Sequence, residues 1–188
     1  MSGAPGGPER RWGWHRLHPD RAQRLVRAAG IRPGDLVLDL GAGDGALTEP
    51  LRAAGARVLA VELHPGRAAR LRTRFAPVRG REAGTVTVVE ADLADFRWPS
   101  GAFRVVANPP WTLGVPLLRA LTARHSALLS AHLVLPRGLV QQAAGSRRRG
   151  LGPEYAASAL DRLPPQAFIP PPPGPAGVLE VRRAGWRP

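Results

Sequence analysis

The stretch Leu36-Val37-Leu38-Asp39-Leu40-Gly41-Ala42-Gly43-Asp44-Gly45 carries the clearest fold signal in this chain. A short apolar run closes with an acid, a glycine-rich turn follows, and a helical pattern continues through Leu47 and Leu51. Glycines let the backbone approach a ligand closely, and the next helix is expected to offer unpaired N–H groups. The spacing differs from the G-x-G-x-x-G of dinucleotide sites, and Asp39 would repel a pyrophosphate. The acid could instead serve the ammonium end of a methionine-like ligand; the alternative is a plain tight turn.

Apolar runs and helical patterns alternate along the rest of the chain. Further runs lie at residues 58–61, 86–89, 103–107, 132–135 and 177–183, and helical patterns at 22–29, 66–75 and 137–143. Short runs that are apolar on both faces, alternating with helices, predict an α/β fold whose mostly parallel sheet has helices on each side. We expect one domain over residues 12–188, behind a flexible Gly/Pro-rich lead at residues 1–11.

Acidic residues close the first three apolar runs. Asp39, Glu62 and Asp92 follow successive predicted strands. Because the carboxyl ends of parallel strands meet at one edge, where ligands of open α/β folds bind, we expect the three to lie together. A carboxylate in the place of Glu62 can accept both hydroxyls of a ribose, and Asp92 can accept an adenine amino group. Each alone could be a solvated acid, but the set favours a ligand site.

The tetrad Asn108-Pro109-Pro110-Trp111 comes directly after the fourth run. Its prolines fix the backbone and remove competing N–H donors. The Asn108 oxygen and a carbonyl of the proline segment can then accept both hydrogens of a planar exocyclic amine, and Trp111 offers a base a stacking face. The alternative is a proline-rich turn with a packing tryptophan.

The charge balance favours a polyanionic partner. A formal net charge of +13 comes from 27 basic residues, all arginine, against 14 acids. Codon bias explains arginine in place of lysine but leaves the surplus unexplained. The absence of cysteine excludes disulfide scaffolds and zinc–sulfur sites, and the histidines show no ligand spacing, so we expect no metal. Without a signal peptide or an apolar stretch of membrane-spanning length, the protein is expected to be soluble and cytoplasmic.

Together these motifs resemble the class I S-adenosylmethionine-dependent methyltransferases. More narrowly, the chain resembles the rRNA adenine-N6 methyltransferases, which include the erythromycin-resistance enzymes and the small-subunit rRNA dimethyltransferases. The stretch Trp14-His15-Arg16-Leu17 takes the place of the family's N-terminal cofactor-contacting motif, and Phe168-Ile169-Pro170-Pro171-Pro172 resembles its late F-x-P loop. The resemblance covers residues 12–183.

The resemblance implies a Rossmann-like fold with a seven-stranded sheet, one strand of which, near the C-terminus, is antiparallel. It also implies methyl transfer from S-adenosylmethionine to adenine N6 in 23S rRNA by a monomer, with a role in antibiotic resistance. The residues expected to hold the cofactor are Trp14, His15, Leu17, Asp39, Gly41, Gly43, Glu62, Leu63, Asp92, Leu93 and Asn108. Asn108, Pro109, Pro110, Trp111 and Phe168 are the expected catalytic residues, with Trp111 and Phe168 clamping the base.

The chain also departs from the family pattern. Its N-terminal motif has Arg16 where the family's Gln-Asn/His-Phe-Leu has phenylalanine, and residues 174–177 lack the usual valine and serine. We expect it to lack the family's small helical C-terminal domain, and therefore to prefer an unstacked base. Arg147, Arg148 and Arg149 are expected to contact RNA phosphates, the alternative being a solvated loop.

The sequence is also compatible with two other functions. One is a methyltransferase that acts on DNA adenine, guanine N2 or a protein amide. The other is a non-catalytic RNA-binding or assembly module that keeps the fold.

Overall fold

The computed structural model describes residues 15–77, 84–145 and 151–186. The strands are β1 (Arg16–Leu17), β2 (Leu36–Leu40), β3 (Arg57–Glu62), β4 (Thr85–Glu90), β5 (Phe103–Ala107), β6 (Leu128–Pro136), β7 (Tyr155–Leu163), β8 (Phe168–Ile169) and β9 (Ala176–Arg183). The α-helices are α1 (Pro19–Ala29), α2 (Thr48–Ala53), α3 (Pro65–Arg74), α4 (Gly114–Leu121) and α5 (Arg137–Ala144), with 3-10 turns at Trp111–Leu113 and Pro165–Ala167. Within these ranges, no helix has both the length and the apolar character needed to cross a membrane.

Seven strands form the main sheet, in the order β4-β3-β2-β5-β6-β9-β7. The pairings from β4 through β6 are parallel. Strand β9 runs antiparallel to both of its neighbours, β6 and β7. The predicted seven-stranded, mostly parallel sheet with one antiparallel strand near the C-terminus is confirmed.

The core lies on both faces of the sheet, because neighbouring residues of a strand point to opposite sides. All five residues of β5 are buried. Its Val105 packs in the cluster that contains the buried leucines of α4, whereas Val106 packs in the cluster that contains α1. The predicted helical cover on both faces is therefore confirmed.

Helix α1 shows how the local sequence and the sheet cooperate. Its apolar side chains are buried at the spacing expected for one helix face: Ala22, Leu25, Val26 and Ala29. Gly30 ends the helix with a φ of 58°, in the left-handed region that favours glycine. The buried guanidinium of Arg104 in β5 donates to the oxygens of Ala29 and Gly30 and pairs with Asp35 at 2.9 Å. A cation at a helix C-terminus is favoured by the helix dipole, so α1 is fixed to the sheet.

A two-stranded ribbon of β1 and β8 was not predicted. Arg16 pairs with Ile169 and Leu17 with Phe168 in antiparallel register. The ribbon brings the N-terminal motif beside the F-x-P segment, although the two lie far apart in sequence. Both Leu17 and Phe168 are 2% exposed, so the ribbon is anchored in the core.

Candidate active site

A cleft of about 640 Å³ opens at the carboxyl edge of β2, β3, β4 and β5. Most of the predicted site residues line it: His15, Gly41, Glu62, Leu63, Asp92, Leu93, Asn108, Pro109, Pro110 and Trp111. These residues therefore lie together, as expected for strand ends that share one edge of a parallel sheet.

Glu62 is the last residue of β3 and is buried at the base of the cleft. Its Oε2 accepts the N–H of Gly43 at 2.8 Å, and its Oε1 accepts the N–H of His64 at 2.9 Å. A carboxylate has about four lone-pair positions, so these two bonds orient the group and leave capacity for further donors. A pair of ribose hydroxyls is one set of donors that fits.

Asp92 and two leucines form the rim of the same cleft. Asp92 is exposed, and its Oδ1 accepts the N–H of Ala94 at 2.9 Å. Leu63 is 42% exposed and Leu93 is half-buried, so both present apolar surface toward the cleft. This combination of apolar walls and one fixed carboxylate suits a planar base with an amino group.

A second cavity of about 310 Å³ shares two lining residues with the cleft, Gly41 and Asn108. Asp39 and Leu17 line this cavity and not the cleft. The three predicted carboxylates are thus divided between two compartments. Asp39 lies one residue before the end of β2, in register with Ala60 of β3, so it sits deeper in the sheet than Glu62, which ends β3.

Asp39 has an unusual electrostatic environment. It is 1% exposed, and its Oδ2 accepts the hydroxyl of Thr48 at 2.6 Å. Burial is the largest cause that raises the pKa of Asp39; the bonds from Thr48 lower it and the negative charges of Glu62 and Asp44 raise it, so that the pKa lies at about 7. A cation placed in the second cavity would favour the ionised form.

The glycine-rich turn is folded back on the protein. Gly41 has a φ of 75°, and a Cβ at that position would lie 3.0 Å from Cδ of Pro110. The N–H groups of Gly41 and Ala42 both donate to the oxygen of Val61, and the N–H of Gly45 donates to the oxygen of Ala42. With Gly43 bonded to Glu62, the N–H groups of these four turn residues all have acceptors within the protein.

Asn108 follows β5 and stands at the wall between the two compartments. Its Nδ2 donates to the backbone oxygen of His15 at 2.6 Å, which leaves Oδ1 as the acceptor. The oxygen of Pro110 accepts the N–H of Leu113 at 2.9 Å, so the Pro109 oxygen is the candidate for a second acceptor. Asn108 Oδ1 and the Pro109 oxygen are thus the two candidate acceptors for a planar amine.

The aromatic clamp differs from the prediction. Trp111 is half-buried and lines the cleft. Phe168 is in the core, and its ring meets Trp111 edge-on with centroids 6.0 Å apart. The expectation that Phe168 offers a base a stacking face is wrong, because pairing of β8 with β1 turns this side chain inward. Phe168 supports Trp111 from behind.

Some predicted residues lie outside the described ranges. These are Trp14 and the triplet Arg147, Arg148 and Arg149, whose roles stay predictions. His15, on the other hand, lines the cleft, and its Nδ1 lies 3.1 Å from the oxygen of Pro170. Across the part of the chain that the structure describes, no three His, Asp or Glu side chains are grouped so that they could hold a metal ion.

Several known proteins are similar to this chain at moderate sequence identity. The chain is 36% identical over 174 residues to ribosomal RNA small subunit methyltransferase A of Bordetella petrii, with 87% of this chain and 64% of that protein aligned. It is 34% identical over 173 residues to the mycinamicin-resistance protein MyrB of Micromonospora griseorubida, with 85% and 50% aligned. The chain thus spans half to two thirds of the length of these curated relatives.

Solved structures share the fold. The 23S rRNA methyltransferase ErmE superposes with a TM-score of 0.77 at 22% identity, over 90% of this chain and 70% of that one. A dimethyladenosine transferase from Plasmodium falciparum gives a TM-score of 0.76 at 21% identity, over 90% and 63%. These likenesses are of fold alone.

The family match is more specific. The family described as ribosomal RNA adenine dimethylase matches residues 17–182. This range includes Asp39, Glu62 and Asp92 at the sheet edge and the whole Asn108–Trp111 tetrad. The chain therefore belongs to the ribosomal RNA adenine dimethylase family.

Proposed function

We propose that this chain transfers a methyl group from S-adenosylmethionine to the N6 amine of an adenine in ribosomal RNA. The observation that carries the proposal is the pair of compartments that share Gly41 and Asn108. A ligand with a nucleoside part and an amino-acid part fits such a pair, and its middle passes Asn108. Family membership over residues 17–182 supports the same activity.

The residues present fit this cofactor by their donor and acceptor chemistry. Glu62 has lone pairs left for two ribose hydroxyls, and Leu63 and Leu93 offer apolar walls to the adenine. Asp92 accepts from the adenine amino group, and Asp39 pairs with the ammonium in the second cavity. When bound, S-adenosylmethionine supplies an electrophilic methyl group.

The chain's own contribution to catalysis is to orient the target amine. Asn108 Oδ1 and the Pro109 oxygen accept its two hydrogens, so that the nitrogen lone pair is directed at the methyl donor. Positive charge grows on the nitrogen during attack, and both acceptors stabilise it. The face of Trp111 adds a cation–π contribution. The proton can leave to water afterwards, so these residues need no general base.

The RNA substrate follows from charge and from relatives. A surplus of +13 suits a polyphosphate partner. We propose 23S rRNA as the substrate and resistance to a ribosome-targeting antibiotic as the role, in the cytoplasm; the name of MyrB, a mycinamicin-resistance protein, supports the role. The small-subunit rRNA is the second candidate, because the relative from Bordetella petrii is named for it.

A label-transfer experiment tests the proposal. Protein and tritiated S-adenosylmethionine are incubated with naked 23S rRNA, naked small-subunit rRNA, assembled subunits or duplex DNA, and the product is digested to nucleosides. We expect label in N6-methylated adenosine from 23S rRNA. Label in the small-subunit rRNA alone would favour the second candidate. Label in DNA or guanosine would indicate another methyltransferase, and no transfer despite cofactor binding would indicate a binding module.

A further inference from the structure

We propose that Arg16 binds the α-carboxylate of the cofactor, so that the second cavity recognises the zwitterionic amino-acid end as a whole. The inference rests on the proposed function and deepens it. It concerns a property of this chain, since Arg16 occupies the position where the related N-terminal motif carries phenylalanine.

The position of Arg16 is fixed at both ends. Its backbone is in β1 and pairs with Ile169 of β8. Its Nη1 forms an ion pair with Oδ2 of Asp44 at 3.1 Å, and both residues line the second cavity. Among the described residues that line this cavity, Arg16 is the one cation. The guanidinium is therefore held at the cavity wall before any ligand arrives.

Arg16 also retains an unsatisfied donor. Its Nε is shielded from solvent and has no hydrogen-bond partner within the described ranges. A guanidinium has five N–H donors in a planar fork that matches a carboxylate bidentately, and the Asp44 contact uses Nη1. Nε has no accessible surface, so a carboxylate in the cavity would bind the Nη hydrogens that the Asp44 contact does not use.

Many of the backbone N–H groups around the cavity already have acceptors within the protein. The N–H groups of Gly41, Ala42, Gly43 and Gly45 all donate to protein acceptors, as described above. Helix α2, which follows the turn, has six residues, and its Glu49 and Leu51 N–H groups also donate within the protein. Arg16 is the charged donor that the described lining of this cavity offers to a carboxylate.

The charges of the cavity match a zwitterion. Asp39 and Asp44 would repel a lone carboxylate, but Arg16 offsets Asp44, and Asp39 is available to an ammonium group. Carboxylate and ammonium would then have separate partners on one cavity wall. This arrangement predicts that the two ends of the amino acid contribute to affinity through different residues.

The test compares three ligands by isothermal calorimetry on the full chain. S-adenosylhomocysteine has both charged groups, its decarboxylated analogue S-adenosyl-3-thiopropylamine keeps the amine alone, and 5′-methylthioadenosine has neither. Arg16→Gln should weaken binding of S-adenosylhomocysteine by about tenfold or more and leave the other two within about twofold. Arg16→Lys keeps the charge and loses the fork, so it should fall between wild type and Arg16→Gln.

Matched variants separate binding from folding. Asp39→Asn should weaken both amine-bearing ligands and spare 5′-methylthioadenosine. Arg24→Gln removes an exposed arginine of α1 and should leave all three affinities unchanged. Equal losses for all three ligands in both Arg16 variants, or no loss for S-adenosylhomocysteine, would overturn the inference. If the wild type binds none of the ligands, the proposed function itself fails.

Discussion

Asp39 and Glu62 are buried carboxylates on adjacent strands, yet their surroundings differ. Glu62 accepts two backbone N–H groups, from Gly43 and His64. Asp39 accepts the hydroxyl of Thr48, and burial raises its pKa to about 7. The charge of Asp39 near neutral pH therefore depends on what binds beside it.

Asp39→Asn should make the unliganded protein more stable at alkaline pH. The folded protein holds the Asp39 proton as pH rises from the ordinary pKa of 3.8 to about 7, whereas the unfolded chain releases it. Wild-type stability is therefore lost across this window, by at most about 4 kcal/mol from this group. Asparagine avoids the loss and still accepts from Thr48. Melting temperatures of both proteins from pH 4 to 9 should diverge up to about pH 7; a constant difference would refute the assignment.

For individual residues, the sequence predicts which side chains line the cleft but not the hydrogen-bond partners of their polar groups. Glu62, Asp92 and Asn108 could be placed because strand ends in a parallel sheet share an edge. The bond from Asn108 to the oxygen of His15 joins residues 93 positions apart. No local sequence pattern predicts this bond. The same holds for the bonds from the N–H groups of Gly41 and Ala42 to the oxygen of Val61.

Among the secondary-structure elements, the β1–β8 ribbon contributes most to the shape of the site. It buries Phe168 behind Trp111 and places the His15 ring 5.8 Å from Trp111. Trp111 is thus packed between two aromatic rings that belong to different parts of the chain. Its orientation toward the cleft depends on this packing.

Phe168→Ala and Trp111→Ala should therefore have different effects. Phe168 is 2% exposed, so its truncation should lower the free energy of unfolding by about 3–5 kcal/mol. Trp111 is half-buried, so Trp111→Ala should cost less stability and weaken RNA binding by about 1–3 kcal/mol through loss of a stacking face. Urea unfolding and RNA titrations check both. A Phe168→Ala variant that is stable but binds RNA weakly would indicate that Phe168 contacts the base after all.

The turn between β2 and α2 allows a matched pair of glycine variants. Gly41 and Gly34 both have positive φ, at 75° and 87°. An added Cβ at Gly41 would press on Pro110, whereas at Gly34 it would meet nothing within 4 Å. Both alanine variants should lose about 1 kcal/mol of stability from backbone strain, but Gly41→Ala alone should also impair methyl transfer. Melting temperatures and transfer rates check this, and equal activity of the two variants would argue against the close packing.

Elements that the sequence did not predict have weak local signals. Strand β7 is rich in alanine, which is depleted in strands, and it forms because it pairs with β9 along eight positions. Helix α4 begins with glycine and has Pro116 in its first turn, so its sequence gives only a weak helix signal. The helix nevertheless forms, and its Leu117, Leu118 and Leu121 are buried. Tertiary pairing overrides local preference in both.

For the molecule as a whole, the net charge of +13 predicts salt-sensitive RNA binding. Replacement of Arg147, Arg148 and Arg149 by glutamine should weaken binding uniformly across RNA sequences. It should also reduce the slope of log K against log salt by about one unit per lost phosphate contact. A control with equal charge loss, Arg24→Gln, Arg27→Gln and Arg124→Gln, should change the slope less. Equal slopes for the two triple variants would indicate that the three arginines lie in a solvated loop and do not contact phosphates.

The proposed methyl transfer depends on Asn108 as the residue that orients the target amine. Single-turnover methyl transfer to rRNA, read out as N6-methylated adenosine at saturating cofactor, compares wild type with Asn108→Ala and with Thr112→Ala, an exposed neighbour. We predict a rate loss on the order of 10² or more for Asn108→Ala and none for Thr112→Ala, with binding of S-adenosylhomocysteine reduced by no more than a few fold. If Asn108→Ala transferred methyl groups as fast as wild type, the amine-orienting role would be wrong and the tetrad would be only a turn.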